Sequence, residues 1–240
     1  MSNIEKFLEM VQESDNIVFF VGAGVSTESG IPDFRSVDGL YNQKYDYPPE
    51  TILSHTFYMR HTEEFYRFYR DKMLCLDAKP NVTHQKLAEL EAAGKVKAVI
   101  TQNIDGLHQM AGSRRVLELH GSVHRNYCQK CGKGFDAEYI LKSGTEIPLC
   151  DACGGKIKPD VVLYEEGLNQ QTLEDAVFYI SHADVLIIGG TSLAVYPAAG
   201  LIDYYRGNKL VLINKSTTPM DGRADLLIQA GLGEVFSQIR

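Results

Sequence analysis

Short apolar runs recur along the chain and alternate with segments that have the spacing of amphipathic helices. The run Ile17–Val21 is apolar throughout, and similar runs occupy residues 97–100, 116–119, 184–188 and 209–213. Continuous apolar runs of this length are typical of parallel strands that are buried on both faces. Their alternation with helices predicts an α/β fold, a Rossmann-like parallel sheet with helices on both faces.

The predicted helices have recognisable ends. Thr83 is a suitable N-cap for a helix that stops before Gly94, and residues 172–180 place their apolar side chains on one helical face. Pro197 suits the first turn of a further helix and Gly207 suits its end. The pattern therefore predicts a helix ahead of three of the strands.

Two stretches interrupt this alternation. Residues 36–80 are rich in Tyr, Phe and His and have helical patterns but no strand pattern, and residues 123–158 hold four of the five cysteines. Both are predicted to be insertions into a single unit that spans residues 1–240. The α/β part would then comprise residues 1–35, 81–122 and 159–240.

The composition is that of an ordinary globular chain, with 44% hydrophobic and 23% charged residues. The formal net charge of −7 argues against nucleic acid or an anionic membrane as the main partner, and no apolar run approaches the roughly 20 residues that span a bilayer. Ser2 and Glu5 form a capping-box pattern for an N-terminal helix, where a signal peptide would be basic or apolar. We therefore expect a cytoplasmic protein whose paired cysteines hold a metal and do not form disulfides.

Four cysteines have the spacing of a structural zinc site. Cys128 and Cys131 form one Cys-x-x-Cys pair, and after eighteen residues Cys150 and Cys153 form a second. Two such pairs supply four tetrahedral thiolate ligands and leave no open position, so this Zn²⁺ is predicted to stabilise the fold and to take no part in chemistry. The fifth cysteine, Cys75, has no partner in this pattern and is expected to be a packed thiol in a helix.

A glycine-containing turn follows the first predicted strand. Gly22 and Gly24, with Ala23 between them, would let backbone N–H groups approach a pyrophosphate. The usual dinucleotide fingerprint has a third glycine three residues after Gly24, where this chain has Thr27. Taken alone, the turn suits a structural role as well as nucleotide binding.

Polar residues follow the other predicted strands at their carboxyl ends, the edge at which open α/β sheets bind ligands. They are Gln102, Asn103 and Asp105, with Ile104 among them, after the second strand, His120 after the third, Gly190, Thr191 and Ser192 after the fourth, and Asn214 and Lys215 after the fifth. His120 differs from the other histidines because it follows a buried strand and precedes a glycine. An unperturbed imidazole titrates near neutral pH, so His120 is the candidate general base.

Together these motifs resemble those of the sirtuins, the NAD-dependent protein deacylases. The matching segments occur in the family's order over nearly the whole chain, and the compact length resembles the bacterial branch; they are 22–26, 30–35, 101–105, 120–121, both Cys-x-x-Cys pairs, 190–192 and Asn214. The resemblance implies a large Rossmann-like lobe and a small lobe made of the zinc module and the helical insertion. NAD and an acetylated lysine of a protein or peptide would meet in the cleft between them.

The resemblance also implies roles for individual residues. His120 and Asn103 would be catalytic, with His120 the base for a ribose hydroxyl and Asn103 beside the reacting ribose. NAD would be held by Gly22, Ala23, Gly24, Ser26, Thr27, Asp33, Phe34, Arg35, Gln102, Asn103, Ile104, Asp105, His120, Gly190, Thr191, Ser192, Asn214, Lys215 and Leu232. The acyl oxygen would attack C1′ of the nicotinamide ribose, and the products would be nicotinamide, O-acetyl-ADP-ribose and free lysine.

Residues 158–166 resemble the family segment that pairs with the substrate peptide as a strand. Val162 would contact the acyl-lysine, with Phe34 also in the substrate site, and Tyr164 would contact the aliphatic stem of the lysine. The family usually has glycine where this chain has Glu165. This departure adds bulk and negative charge beside the groove, and it could favour basic flanking residues or distort the fit.

Family members that remove succinyl or malonyl groups have a tyrosine and, three residues later, an arginine in the acyl pocket. Here Tyr66 has the first position but Tyr69 has the second, and Arg70 comes one residue late, about 100° round a helix. A buried acidic acyl group without its bidentate partner is costly, so deacetylation is predicted over desuccinylation.

Other functions are compatible with parts of the pattern. A Rossmann oxidoreductase would need an acidic residue about 20 positions after the glycines on a second strand, where this chain has the helical insertion. A non-enzymatic zinc-ribbon module is disfavoured by the polar strand ends and the negative net charge. Within the family, removal of longer acyl groups and transfer of ADP-ribose to protein stay open, and the sequence is compatible with a monomer without fixing the oligomeric state.

Overall fold

A parallel sheet of six strands forms the centre of the computed structural model, which describes residues 1–33 and 46–240. The strands are β1 (Ile17–Val21), β2 (Val96–Thr101), β3 (Val116–Glu118), β7 (Val185–Gly189), β8 (Leu210–Ile213) and β9 (Leu226–Ile228). Their order is β3-β2-β1-β7-β8-β9, and every neighbouring pair is parallel. The chain order reverses at β1, so the carboxyl ends of β1, β2 and β7 meet at the switch point where such sheets bind ligands.

Helices cover both faces of this sheet. They are α1 (Asn3–Glu13), α5 (Val82–Ala92), α6 (Leu107–Ala111), α8 (Gln170–His182) and α9 (Leu232–Phe236), with a 3₁₀ segment at Ala198–Tyr204. Phe19 packs in one buried cluster with Phe7 and Phe236, whereas Phe20 packs in a second cluster with Ile180. Because adjacent residues of β1 face opposite helical layers, the whole strand has to be apolar.

A second, smaller sheet is antiparallel, with the order β5-β4-β6. It comprises β4 (Gly121–Cys128), β5 (Gly134–Phe135) and β6 (Ile157–Val161), and α7 (Ala137–Lys142) lies in the connection between β5 and β6. The helical insertion forms α2 (Pro49–Ile52), α3 (His55–Arg60) and α4 (Thr62–Phe68), followed by a π-helical turn at Tyr69–Met73. Phe65 and Tyr66 share one buried cluster with Ile157, so the insertion and the small sheet have a common core.

The predicted α/β fold is confirmed, and each of the five predicted strands lies within one residue of its predicted bounds. The N-terminal capping box is also present: the Ser2 hydroxyl accepts from the Glu5 N–H at 3.1 Å, and the Glu5 carboxylate accepts from the Ser2 N–H at 2.6 Å. The prediction missed β9, a strand of three residues at the edge of the sheet that pairs only with β8 among the described strands.

The predicted ends of two helices were wrong. The N-cap of α5 is Asn81, whose side chain accepts from the N–H of Thr83, and not Thr83 itself. Pro197 precedes its helical segment as the N-cap, and that segment is a 3₁₀ helix that ends at Tyr204, before Gly207. Phe34 and Arg35, both expected at NAD, lie outside the described residues.

No helix in the described part of the chain combines the length and the apolar character that crossing a membrane requires.

Candidate functional site

A cleft of about 630 Å³ opens at the carboxyl ends of β1, β2 and β7 and extends to the small sheet and the helical insertion. All the site residues expected from the sequence within the described ranges, apart from the four cysteines, line this one cleft. They are Gly22, Ala23, Gly24, Ser26, Thr27, Asp33, Gln102, Asn103, Ile104, Asp105, His120, Val162, Tyr164, Gly190, Thr191, Ser192, Asn214, Lys215 and Leu232. The structure therefore brings together residues that are up to 210 positions apart in the chain.

The glycine turn after β1 packs directly on the turn after β7. The N–H of Gly24 donates to the carbonyl of Gly190 at 2.7 Å, and a Cβ on Gly24 would lie 2.7 Å from the Gly190 Cα. Thr27 stands where the dinucleotide fingerprint has its third glycine, and its hydroxyl donates to the Gly24 carbonyl at 3.0 Å. Two short 3₁₀ turns follow β1 in place of a long helix, so the glycine that lets a long helix pack is not needed.

Polar side chains at the end of β2 are already held by hydrogen bonds. Asn103 donates from Nδ2 to the Ser26 hydroxyl at 3.0 Å, and Ser26 donates to the Asp105 carboxylate at 2.6 Å. The same carboxylate accepts from the Leu107 N–H at 2.9 Å at the start of α6. These hydrogen bonds from within the protein fix Asn103 and Asp105 in place, which is the preorganisation that catalytic sites use.

His120 lies just after β3, and one of its ring nitrogens forms a hydrogen bond to the backbone. Its Nδ1 is 2.9 Å from the backbone carbonyl of Gln102, and because a carbonyl only accepts, Nδ1 carries the proton and Nε2 keeps its lone pair. Burial lowers the pKa of His120 below its ordinary value, and the bond to Gln102 offsets part of that effect. The ring is therefore neutral at pH 7 and has the tautomer of a base.

Gly121, which follows His120, stands at a position that only glycine fits. Its φ is +77°, and a Cβ there would lie only 1.9 Å from the Asp160 carbonyl. The glycine thus permits close pairing of β4 with β6.

The four cysteines of the two Cys-x-x-Cys pairs form one cluster. The Cys128 and Cys153 sulfurs are 3.5 Å apart, the Cys131 and Cys150 sulfurs are 3.7 Å apart, and all four lie within 4.8 Å of one another. Four thiolates at about 2.3 Å from one ion in a tetrahedron give sulfur–sulfur distances of this size. The four thiolates and their spacing therefore fit a structural Zn²⁺. The sulfur–sulfur distances are far longer than a disulfide bond.

The helical insertion contributes cleft residues that the sequence analysis did not identify. Lys72 and Met73, at the end of the π-helical turn, and Cys75 and Leu76, just after it, line the cleft. Cys75 is thus not a packed helical thiol, because the helix ends at Met73. Burial and the charge of Asp105 raise the pKa of the Cys75 thiol, which keeps it protonated. The aromatic periodicity gave no signal for these residues.

The segment expected to pair with the substrate is only partly available. β6 ends at Val161 and pairs with β4, so the open part begins at Val162, whose N–H donates to the His120 carbonyl at 3.0 Å. The N–H of Tyr164 donates to the Leu53 carbonyl at 3.0 Å, and the Tyr164 carbonyl accepts from the His55 N–H at 2.9 Å. A peptide strand at this edge must therefore use backbone groups other than those of Tyr164.

The residues compared with the desuccinylase pattern point away from the cleft. Tyr66 and Tyr69 are fully buried, and the Tyr66 hydroxyl donates to the Ile157 carbonyl. The Arg70 guanidinium donates to the Ser143 hydroxyl at 2.7 Å and to the backbone carbonyls of Ile140, Thr145 and Glu146 at 2.9–3.0 Å. Arg70 is thus committed to the zinc module.

Known proteins are similar to this chain over nearly its whole length. A model described as the Sir2 family matches residues 22–197. A Clostridium acetobutylicum protein named NAD-dependent protein deacetylase is 61% identical over 241 residues, which cover 100% of this chain and 98% of that protein.

Solved structures are similar as well. A structure of a Sir2 histidine-to-alanine variant with a deacetylated p53 peptide and 3′-O-acetyl-ADP-ribose has a TM-score of 0.91 and 42% identity, covering 98% of this chain and 96% of that chain. A Sir2 complex with a p53 peptide and NAD⁺ has a TM-score of 0.88 and 42% identity, covering 100% and 97%. The similarity therefore includes the small sheet as well as the parallel sheet.

Proposed function

Because the chain belongs to the Sir2 family and is an NAD-dependent protein deacetylase, we propose that its reaction takes place in the cleft described above, with His120 as the general base. One observation carries the assignment of the base. The Nδ1 atom of His120 is bound to the Gln102 carbonyl, so Nε2 is unprotonated in a cleft lined by every other described candidate. NAD supplies, when bound, the ADP-ribose that accepts the acetyl group as nicotinamide is released.

The residues of this chain would divide the work by their position. Ala23 of the glycine turn and Thr191 line the cleft at the switch point of the sheet, where the Ala23 N–H and the Thr191 hydroxyl would meet the phosphates of NAD. Asn103, held by Ser26, would lie beside the reacting ribose. His120 would take a proton from a ribose hydroxyl, which is a poor nucleophile unaided. Val162 and Tyr164, which follow β6, would contact the acetyl-lysine.

The remaining assignments are consistent with this arrangement. Residues 1–35, 81–122 and 159–240 would form the large lobe, and the helical insertion and zinc module would form the small lobe. We place the protein in the cytoplasm, where it would act on acetylated lysine side chains of other proteins. Four unbridged thiols in one cluster support a reducing compartment.

The function is tested by incubating the protein with NAD and an acetyl-lysine peptide and identifying the products by mass spectrometry. Deacetylation predicts the peptide with an unmodified lysine, nicotinamide and O-acetyl-ADP-ribose in equal amounts. None of these products should form without the acetyl-lysine peptide. NADH absorbance would instead indicate an oxidoreductase. A protein product that gains ADP-ribose would indicate transfer to protein.

The pH dependence of kcat/KM should report the base. Because burial holds the pKa of His120 below its ordinary value of 6.5, the imidazole is unprotonated at neutral pH and becomes protonated, and inactive as a base, only as the pH falls through that lowered pKa. We expect a plateau from pH 7 to 8 and a tenfold loss per pH unit below the pKa. A profile that still rises between pH 7 and 8 would contradict this assignment.

An acetyl-lysine peptide should be a better substrate than its succinyl-lysine counterpart. Arg70 is held by the zinc module and cannot pair with an acyl carboxylate, and Met73 and Leu76 give this wall of the cleft an apolar character. Leaving a carboxylate unpaired on burial is expected to lower kcat/KM at least about 100-fold. The check is a matched pair of peptides assayed at subsaturating concentration. Faster desuccinylation would overturn the prediction and would direct attention to Lys72, whose ammonium lies 3.1 Å from Asp71.

A further inference from the structure

The turn after the small sheet contains a residue that its backbone disfavours. The Glu166 N–H donates to the Leu163 carbonyl at 3.0 Å, which closes a four-residue turn from Leu163 to Glu166. Glu165, the third residue of that turn, has a φ of +75°. A positive φ at this position is typical of a type II turn and is normally taken by glycine, because a side chain there is strained. A strained glutamate at the wall of the cleft calls for a function of its side chain.

The Glu165 carboxylate is fixed in place but keeps its charge. One oxygen accepts from the Thr56 N–H at 2.8 Å. The pKa of Glu165 is lowered chiefly by a side-chain hydrogen bond with Thr56 and next by this backbone bond, with smaller contributions from the charges of His55 and Arg60. No described cation forms an ion pair with Glu165. The neighbouring Glu166 is different, since Lys158 and His55 contact its carboxylate at 3.1 and 2.8 Å. The negative charge that this corner presents to the cleft is therefore that of Glu165.

The backbone of Glu165 is also placed to meet a peptide. Both hydrogen-bonding groups of Tyr164 are occupied by Leu53 and His55. Within residues 1–33 and 46–240, by contrast, neither the N–H nor the carbonyl of Glu165 has a hydrogen-bond partner. An extended peptide that adds to this edge can therefore pair with Glu165, and the residues that flank its acetyl-lysine then pass beside the Glu165 carboxylate.

We propose that Glu165 makes this enzyme favour acetyl-lysine sites that have arginine or lysine next to the modified residue. The inference rests on the proposed function, because it takes the cleft as the acetyl-lysine site. The Thr56 N–H holds the carboxylate in one position, so little conformational entropy is lost when a cation pairs with it. An ion pair at an exposed site corresponds to a preference of roughly two- to fivefold.

The experiment compares wild type with Glu165→Gln on acetyl-lysine peptides that differ only in the flanking positions, with arginine, alanine or glutamate one or two residues to either side. Glutamine keeps the backbone, the size and an acceptor for Thr56 and removes only the charge. The readout is the ratio of kcat/KM between the arginine and alanine peptides. We expect a ratio of roughly two to five for wild type at one flanking position or more, falling towards one in Glu165→Gln and in high salt.

Two further variants separate charge from structure. Glu9→Gln makes the same charge change on the exposed face of α1, outside the cleft, and should keep the wild-type ratio. Glu165→Gly removes the charge and the strain together, so it should lose the preference and raise the melting temperature. A ratio of one in wild type, or an unchanged ratio in Glu165→Gln, overturns the inference while deacetylation stands. Absence of any NAD-dependent deacetylation by wild type overturns the proposed function and this inference with it.

Discussion

Replacing His120 with alanine should lower kcat by about 10²- to 10⁴-fold, the usual contribution of a positioned general base. NAD affinity should change by less than about threefold, because His120 contributes one ring at the end of β3 while the glycine turn, Gln102 and Thr191 form the rest of the switch-point wall. The loss should thus appear in kcat and not in binding. Nicotinamide release in a single turnover should be less affected than formation of O-acetyl-ADP-ribose.

The measurement combines steady-state kinetics on an acetyl-lysine peptide with calorimetric titration of NAD. His182→Ala is the matched control, since that histidine lies at the end of α8, contacts Phe178 and is exposed outside the cleft. The control should have wild-type turnover. A His120→Ala protein with full turnover would remove His120 from the mechanism, and a protein that no longer binds NAD would make the histidine a structural element of the pocket.

Most of the sheet could be predicted from the sequence because its signal is local. β1, β7 and β8 are buried along their whole length, and this burial leaves continuous apolar runs that need no knowledge of tertiary structure. β9 was missed because its apolar run, Leu226–Ile228, has only three residues, fewer than the four or five residues of the runs from which the other strands were predicted. The four-cysteine metal site could be predicted equally well, because two residues between thiolates already bring both sulfurs to one ion.

The cleft residues likewise include some that the sequence predicts and some that it does not. Residues at strand ends could be predicted, because parallel strands bring their carboxyl ends to one edge. Lys72, Met73, Cys75 and Leu76 could not, because their position depends on where a π-helical turn ends and on how the aromatic core of the insertion packs. Glu165 could be predicted only in part. The sequence marks it as unusual, but the positive φ and the bond to Thr56 are tertiary facts.

The zinc module is connected to both walls of the cleft. β4 begins at Gly121, directly after His120, and ends at Cys128, one of the four cysteines. β6 pairs with β4 and leads from the second cysteine pair to Val162. Cys128 and Cys150 are buried in the same cluster as the aromatic helices of the insertion. An ion that ties the two cysteine pairs together would therefore also fix the strand that follows His120 and the segment that contains Val162.

Removal of zinc should consequently abolish deacetylation, with a loss of at least about 100-fold, by unfolding the small sheet. Four thiolates around one ion contribute on the order of 10 kcal/mol to folding, more than the common core of a small module replaces. A chelator or Cys150→Ser should raise hydrogen exchange in residues 121–161 first, while β1 and β7 keep their protection.

Cys75→Ser, which leaves the four ligands intact, should retain one zinc ion per chain. Cobalt or cadmium in the same four-thiolate site should restore activity with a similar kcat, since no coordination position is open to substrate. A kcat that follows the Lewis acidity of the metal, or a zinc-free protein that stays folded and active, would contradict a purely structural role.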